Sequence, residues 1–265
     1  MKHILLSLCM ALALVESSQA ASFESAMVLA KSGEYAQARK MFQELVAKGD
    51  GRGSFGLGLL FQHGRGVERD YAAALRHYLL AADKNVAESM HNLGYLYQHG
   101  LGTTKDMQAA VAWYGKAANL NFARSQYDLA WLLETGDGVS ADPSAAQALY
   151  RRAAKNGIPD AMYNLGLMLQ SGTGGPKNDR EAASLYEQAA SQRFVPALYQ
   201  LGFCYYNGSG VERDFVKSYA YMKAAQLLGD TNAGKQLAWP AKQLSPTQID
   251  RAEKIAHALA NGNSK

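Results

Sequence analysis

Four groups of residues in this chain are of types that could do chemistry. Gly100-Leu101-Gly102-Thr103-Thr104-Lys105 has the composition of a phosphate-cradling loop. Such a loop follows a strand and occurs once per domain. Here the glycine pair follows a helical pattern and recurs at Gly64/Gly66, Gly136/Gly138, Gly172/Gly174 and Gly208/Gly210, so it reads as a turn and not as a nucleotide site. His63 and His99 hold equivalent places one period apart. Neighbouring packed helices sit about 8–10 Å apart, too far for both rings to reach one zinc at about 2.1 Å. Cys204 belongs to the column Leu60, Leu96, Leu132 and Met168, which marks a small buried apolar group and not a nucleophile. Asp128, Glu134 and Asp137 gather in one segment and read as a solvated rim. No serine elbow or cysteine–histidine pair accompanies them, so no catalysis and no cofactor is expected.

The elements that place these residues repeat every thirty-six positions. A Leu-small pair stands at Leu57-Gly58, Leu93-Gly94, Leu129-Ala130, Leu165-Gly166 and Leu201-Gly202. A fixed period of this size belongs to arrays in which each unit buries its apolar face against its neighbours. From Ala87 to about His99, Met90, Leu93, Leu96 and Tyr97 fall at helical spacing, and the glycine pair ends the run. Asp106 then caps a second helix carrying Ala110, Val111, Tyr114, Ala117 and Ala118. The cap column runs Glu34, Asp70, Asp106, Asp142, Asn178, Asp214, and the aromatic column Phe42, Tyr78, Tyr114, Tyr150, Tyr186, Met222. A stop column, Gly49, Asn85, Asn121, Gly157, Arg193, Gly229, favours left-handed backbone everywhere except at Arg193.

The predicted organisation is therefore all-α, a solenoid of stacked helical hairpins. Residues 1–20 read as a signal peptide, with Lys2 and His3 before an apolar run from Ile4 to Val15 and Ser18-Gln19-Ala20 before the cut. Residues 21–50 form an atypical first hairpin and 51–238 five regular units. Residues 239–265 form a terminal cap, whose helix opens at the capping box Ser245-Pro246-Thr247-Gln248. Lys and Arg number 27 against 23 Asp and Glu, and the net +4 is spread without a basic run, which argues against nucleic acid. Beyond the signal no stretch is long and apolar enough to span a membrane. Once Cys9 leaves with the signal, Cys204 has no partner for a disulfide.

The second unit, with Leu93-Gly94, Tyr97, Gly100, Gly102, Asp106, Ala110, Trp113-Tyr114 and Ala117-Ala118, resembles the Sel-one-like repeat, a relative of the tetratricopeptide repeat. The resemblance spans roughly residues 22 to 238. It departs where the usual valine, kept at Val67, Val139 and Val211, becomes Thr103 and Gly175. It implies a right-handed superhelix whose concave face contacts other proteins. A cysteine-rich branch of the family is associated with β-lactams, but its disulfide-stapled hairpins are absent here. On the helical wheel of the first helices, Leu59, Tyr95, Trp131, Leu167 and Phe203 point away from the hairpin core. Polar positions Asn92, Asp128, Asn164, Gln98 and Glu134 flank them, and together these ten residues are the expected partner-binding site, with Tyr95 and Trp131 its centre. The function expected is a periplasmic, non-catalytic protein binder: an immunity protein covering a secreted antibacterial effector such as a phospholipase, as short signal-bearing relatives do. The alternative is an envelope scaffold, and a glycan-binding module is an outside reading.

Overall fold

A computed structural model describes residues 22–262. The signal segment and cleavage site expected at 1–20 lie outside the described residues. The fold is all-α, without a strand among the described residues. It divides into two compact units, the first running through Phe122 and the second starting at Ala123.

In the first unit the helices are α1 (Phe23–Ser32), α2 (Tyr35–Ala47), α3 (Gly51–His63), α4 (Tyr71–Ala82), α5 (Ala87–His99) and α6 (Met107–Asn119). They pack as three antiparallel pairs. The second unit repeats the scheme with α7 (Ala123–Thr135), α8 (Pro143–Lys155), α9 (Pro159–Ser171), α10 (Asp179–Ser191), α11 (Val195–Asn207) and α12 (Phe215–Leu227). It ends with α13 (Thr231–Gln236), α14 (Ala238–Ala241) and α15 (Pro246–Asn261).

Local chemistry sets these boundaries. Asp70, Asp106, Asp142, Asn178 and Asp214 each accept the backbone N–H three residues on, satisfying an amide that the helix leaves free. Glu34, expected to do the same, makes no such bond. Its longer side chain instead accepts from Gln37 Nε2 at 2.8 Å. The stop column is left-handed throughout, from φ 60° at Asn85 to 104° at Gly229, and Arg193 follows it at φ 61° despite its side chain.

At Gly102, Gly174 and Gly210 the second glycine of the pair serves packing as well as turning. A Cβ on Gly102 would strike the backbone of Tyr71, on Gly174 the Pro143 carbonyl, and on Gly210 the Asp179 carbonyl. Each of these is the first turn of the second helix in the preceding pair, so the glycine lets one hairpin rest directly on another. The small residue after the column leucine has a related role: Gly94 and Gly166 lie against the Tyr114 and Tyr186 rings.

The glycine-rich loop Gly172–Pro176 keeps the register through a paired exchange. Gln147 stands where other units have Leu75, Val111, Ala183 and Tyr219, and Gly175 stands in the valine column. Gln147 is 7% exposed, and its Nε2 donates to the Thr173 carbonyl at 3.1 Å. A Cβ on Gly175 would sit 2.8 Å from Gln147 Oε1. Gly175→Val alone is expected to lose about 1–3 kcal/mol by overpacking. Adding Gln147→Ala should recover much of that loss in a denaturation double-mutant cycle, and strict additivity would refute the pairing.

The C-terminal end departs from the expected boundary at residue 238. Thr231 begins a sixth unit one period after Val195, and Leu237-Ala238 repeats the Leu-small pair. That helix is split, because Pro240 can neither donate to the Gln236 carbonyl nor tolerate it nearby. The capping box at Ser245 and Gln248 is present as expected, and α15 packs on α12 through Ile249, Ala252, Tyr219 and Ala220.

Candidate functional site

The column expected to face a partner is graded in exposure. In the first unit Leu59 is half-buried against the α4–α5 core, whereas Tyr95 is 41% exposed. In the second unit Trp131 and Leu167 are 39% and 37% exposed, and Phe203 is half-buried. Phe203 meets Tyr199 edge-on at 4.9 Å and Trp239 edge-on at 5.9 Å.

Trp239 itself was missed from sequence. It lies one period beyond Phe203, on α14, and is 43% exposed. The second-unit column therefore reads Trp131, Leu167, Phe203, Trp239. The signal was available in the register, which continues through Leu237-Ala238, but the short interval between Gly229 and Pro240 hides a helix that proline has broken.

The polar flank is hydrogen-bonded within the protein. Gln98 accepts the Tyr114 hydroxyl at 2.8 Å, and Glu134 accepts that of Tyr150 at 2.7 Å. Gln62 and Gln170 treat Tyr78 and Tyr186 in the same way, at 2.6 and 2.8 Å. The next first helix adds a second bond: Asn164 Nδ2 donates to the Tyr150 oxygen at 3.2 Å, and Asn92 hydrogen-bonds the Tyr78 hydroxyl. Gln200 Nε2 donates to Gln170 Oε1 at 3.0 Å. A buried tyrosine hydroxyl without a partner would be costly, and these side chains remove that cost while stitching one hairpin to the next. Asn92 and Gln98 thus form an internal seam in the first unit, as Asn164 and Glu134 do in the second, and all four stay half-exposed. Burial raises the tyrosine pKa values at Tyr78, Tyr150 and Tyr186 far above the ordinary range.

Asp128 differs from its amide neighbours in being ionisable. Burial pushes its carboxyl up to about 6, Arg124 at 3.5 Å pulls it down, and the Asp160 charge raises it further. The solvated rim expected around Asp128, Glu134 and Asp137 holds for exposed Asp137 but not for the other two, which are half-buried.

The remaining chemistry-bearing residues are absorbed by packing. Cys204 is 1% exposed, with its thiol pushed up to about 11 by burial. His77 stacks on Phe61 at 5.5 Å, and burial lowers its pKa. His91 leans on Tyr114 and Phe122, and His99 lies 4.3 Å from Tyr95 between ring centroids. Among the described residues no group of three metal-ligating side chains converges, and no helix is long and apolar enough to cross a membrane.

A stack of capped hairpins with its polar residues turned inward and aromatic side chains left outward defines the helical-repeat class. Residues 52–86, 87–122, 123–158, 159–194 and 195–230 each match the Sel1 repeat, and the chain belongs to that family. Among solved structures it is similar to a Sel1 repeat protein from Oxalobacter formigenes, at 28% identity and a TM-score of 0.77, over 89% of this chain and 98% of that one. It is also similar to c5321, a protective antigen of uropathogenic Escherichia coli with an SLR fold, at 25% identity and a TM-score of 0.58. That match covers 94% of this chain and 62% of the antigen's. The immunity protein Pa5087 from Pseudomonas aeruginosa matches at 24% identity and a TM-score of 0.41, over 74% and 78% of the two chains, a likeness too slight to carry an argument. A search of curated proteins gave no match.

Proposed function

We propose that this chain is an exported, non-catalytic binder of one protein partner, acting in the periplasm as the immunity protein of a secreted antibacterial effector such as a phospholipase. The observation that carries the reading is the exposed apolar column, with Tyr95 in the first unit and Trp131, Leu167 and Trp239 in the second. Large apolar groups left in water on otherwise well-packed helices support, in each unit, a surface that another protein covers. The sparse chemistry supports a binder over a catalyst: the thiol is buried and the tyrosine hydroxyls are held inside the seam. The periplasmic placement rests on the apolar run from Ile4 to Val15 and the Ser18-Gln19-Ala20 that follows it.

The test is protection. A toxin encoded beside this gene, which the reading requires, is directed to the periplasm of a sensitive strain, with and without the full-length chain. Growth should be rescued by the wild type and lost with Tyr95→Ala/Trp131→Ala at unchanged helicity. Survival that does not depend on the chain, or a neighbourhood devoid of any toxin, would remove the immunity reading in favour of an envelope scaffold.

A further inference from the structure

A cleft opens in the second unit between α8 and α10, the second helices of two successive hairpins. Both pack on α9, whose Leu165 lies in the cleft beside Ala154 and Leu185. Leu185 stands where other units have Trp113 and Tyr221, and those larger rings fill their joints. Trp113 packs on the core that holds Ala82 and Leu93, the counterparts of Ala154 and Leu165. Tyr221 joins the core that holds Ala190 and Leu201, and stacks on Tyr205 at 5.7 Å. With leucine in that place, a space of about 220 Å³ stays open.

Size and charge together select an occupant. The space is smaller than the about 300–1,000 Å³ of a pocket that encloses a whole small molecule, so it suits one side chain reaching in from a larger partner. The floor is apolar and the rim is charged. Arg151 Nη2 donates to Glu181 Oε1 at 2.9 Å, which gives the one acid of the cleft its cation. Lys155, one turn further along α8, is exposed and has no acid in the cleft to match it. Over the two helices the balance has the same sign: α8 carries three cations and no acid, and α10 one cation and three acids. Asp160, the acid of α9, acts on Asp128 of α7 instead. Exposed Ser184 and Gln188 add a hydroxyl and an amide that both donate and accept.

We propose that this cleft is a further contact for the partner protein, taking an apolar side chain from an acidic segment whose neighbouring carboxylate meets Lys155. This rests on the protein-binding reading, but neither on the aromatic column nor on the partner being a toxin. A basic segment would set a third cation beside Arg151 and Lys155, a like-charge contact that selects against it. A neutral one would cover the Lys155 ammonium and return no opposite charge for the water removed.

The probe is a random dodecapeptide library displayed on phage and selected on the full-length chain. Enriched sequences are then synthesised with a fluorophore and titrated by anisotropy. Sequences that place Asp or Glu close to Leu, Phe or Trp should be enriched. Leu185→Trp installs the residue of the first unit, fills the space and should weaken them about tenfold or more, the scale of a lost anchor pocket. Lys155→Glu should weaken them about fivefold or more at low salt, and the difference should shrink as salt rises from about 0.05 to 0.5 M. Glu181→Gln frees Arg151 for the peptide and should tighten binding about threefold or more, a gain that misfolding cannot produce. Tyr95→Ala/Trp131→Ala should leave peptide affinity unchanged. Enrichment of basic or uncharged sequences, no enrichment, or indifference to Leu185→Trp or Glu181→Gln would each overturn the proposal. Acidic peptides bound as described by a chain that protects no cell would sink the immunity reading and leave this inference standing. Protection lost with Tyr95→Ala/Trp131→Ala, but no acidic peptide bound, would do the reverse.

Discussion

Gly210→Ala is expected to cost far more stability than Gly157→Ala, although both residues are left-handed, at φ 74° and 86°. Forcing a Cβ into that backbone region costs about 1–2 kcal/mol at either site. Around Gly157 there is nothing within 4 Å of the added carbon, so its loss should stop there. At Gly210 the added carbon would overlap the Asp179 carbonyl and crowd the Arg180 amide. Neither is a side chain that can swing aside, so α10 and the α11–α12 loop must part. Overpacking of this kind adds about 1–3 kcal/mol, bringing the total to about 2–5 kcal/mol, a large share of a typical domain's stability. Urea unfolding of the two variants decides the matter. Equal losses would mean that the second glycine of the pair serves only its own turn and not the contact between hairpins.

The second large effect depends on pH. Asp128 has its pKa raised from 3.8 to about 6, first by burial and then by Asp160, with Arg124 opposing. The sign follows from linkage: a raised carboxylate pKa stabilises the fold fully below the unfolded value, and that contribution is lost as pH climbs through the folded value. The window is therefore about pH 4 to 6. Asp128→Asn, which keeps the shape and removes the charge, should be more stable than wild type at neutral pH by about 1–2 kcal/mol, the shift discounted for partial exposure and the lost Arg124 pairing. Near pH 4 the two proteins should converge. Melting temperatures across pH 4 to 8 test this, and a wild type that outlasts the variant at neutral pH would show that the Arg124 interaction outweighs burial.

Much of this was legible before any coordinates, because a repeat supplies its own controls. A single aspartate ahead of an alanine-rich stretch is a weak cap signal. In equivalent places of five units, Asp70, Asp106, Asp142, Asn178 and Asp214 leave little else to fit, and all five cap. Arg193 shows column outranking residue type: its neighbours in the stop column demand left-handed backbone, and it complies. The same logic failed where residue type changed reach. Glu34 shares the cap column but is one methylene too long to fold back onto its own amides.

The internal bonding of the polar flank was not legible in the sequence for a different reason. A helical wheel gives the direction in which Gln98 or Glu134 leaves its helix, but not how far a tyrosine from the partner helix extends to meet it. Tyr114 and Tyr150 each cross the hairpin to a residue sixteen positions earlier, an interval that no helical or strand period would suggest. Trp239 was hidden by the opposite problem. Its register was intact, but the proline that breaks its helix also broke the pattern by which helices are recognised. Exposure of the aromatic column, unlike its direction, could come only from the packed neighbours.

The loop glycines that seat each hairpin on the one before also make chain length a separable variable. In the second unit, Gly174 meets the start of α8 as Gly210 meets the start of α10, so the surfaces above and below a hairpin are congruent. A copy of residues 159–194 inserted after Arg193-Phe194 would find matching seats for its glycine pair, with one joint to mend, since its Gly175 would face Ala183 in place of Gln147. Selection could thus lengthen or shorten this protein in whole steps, with only such side-chain exchanges as Gln147 and Gly175 to adjust at a new joint.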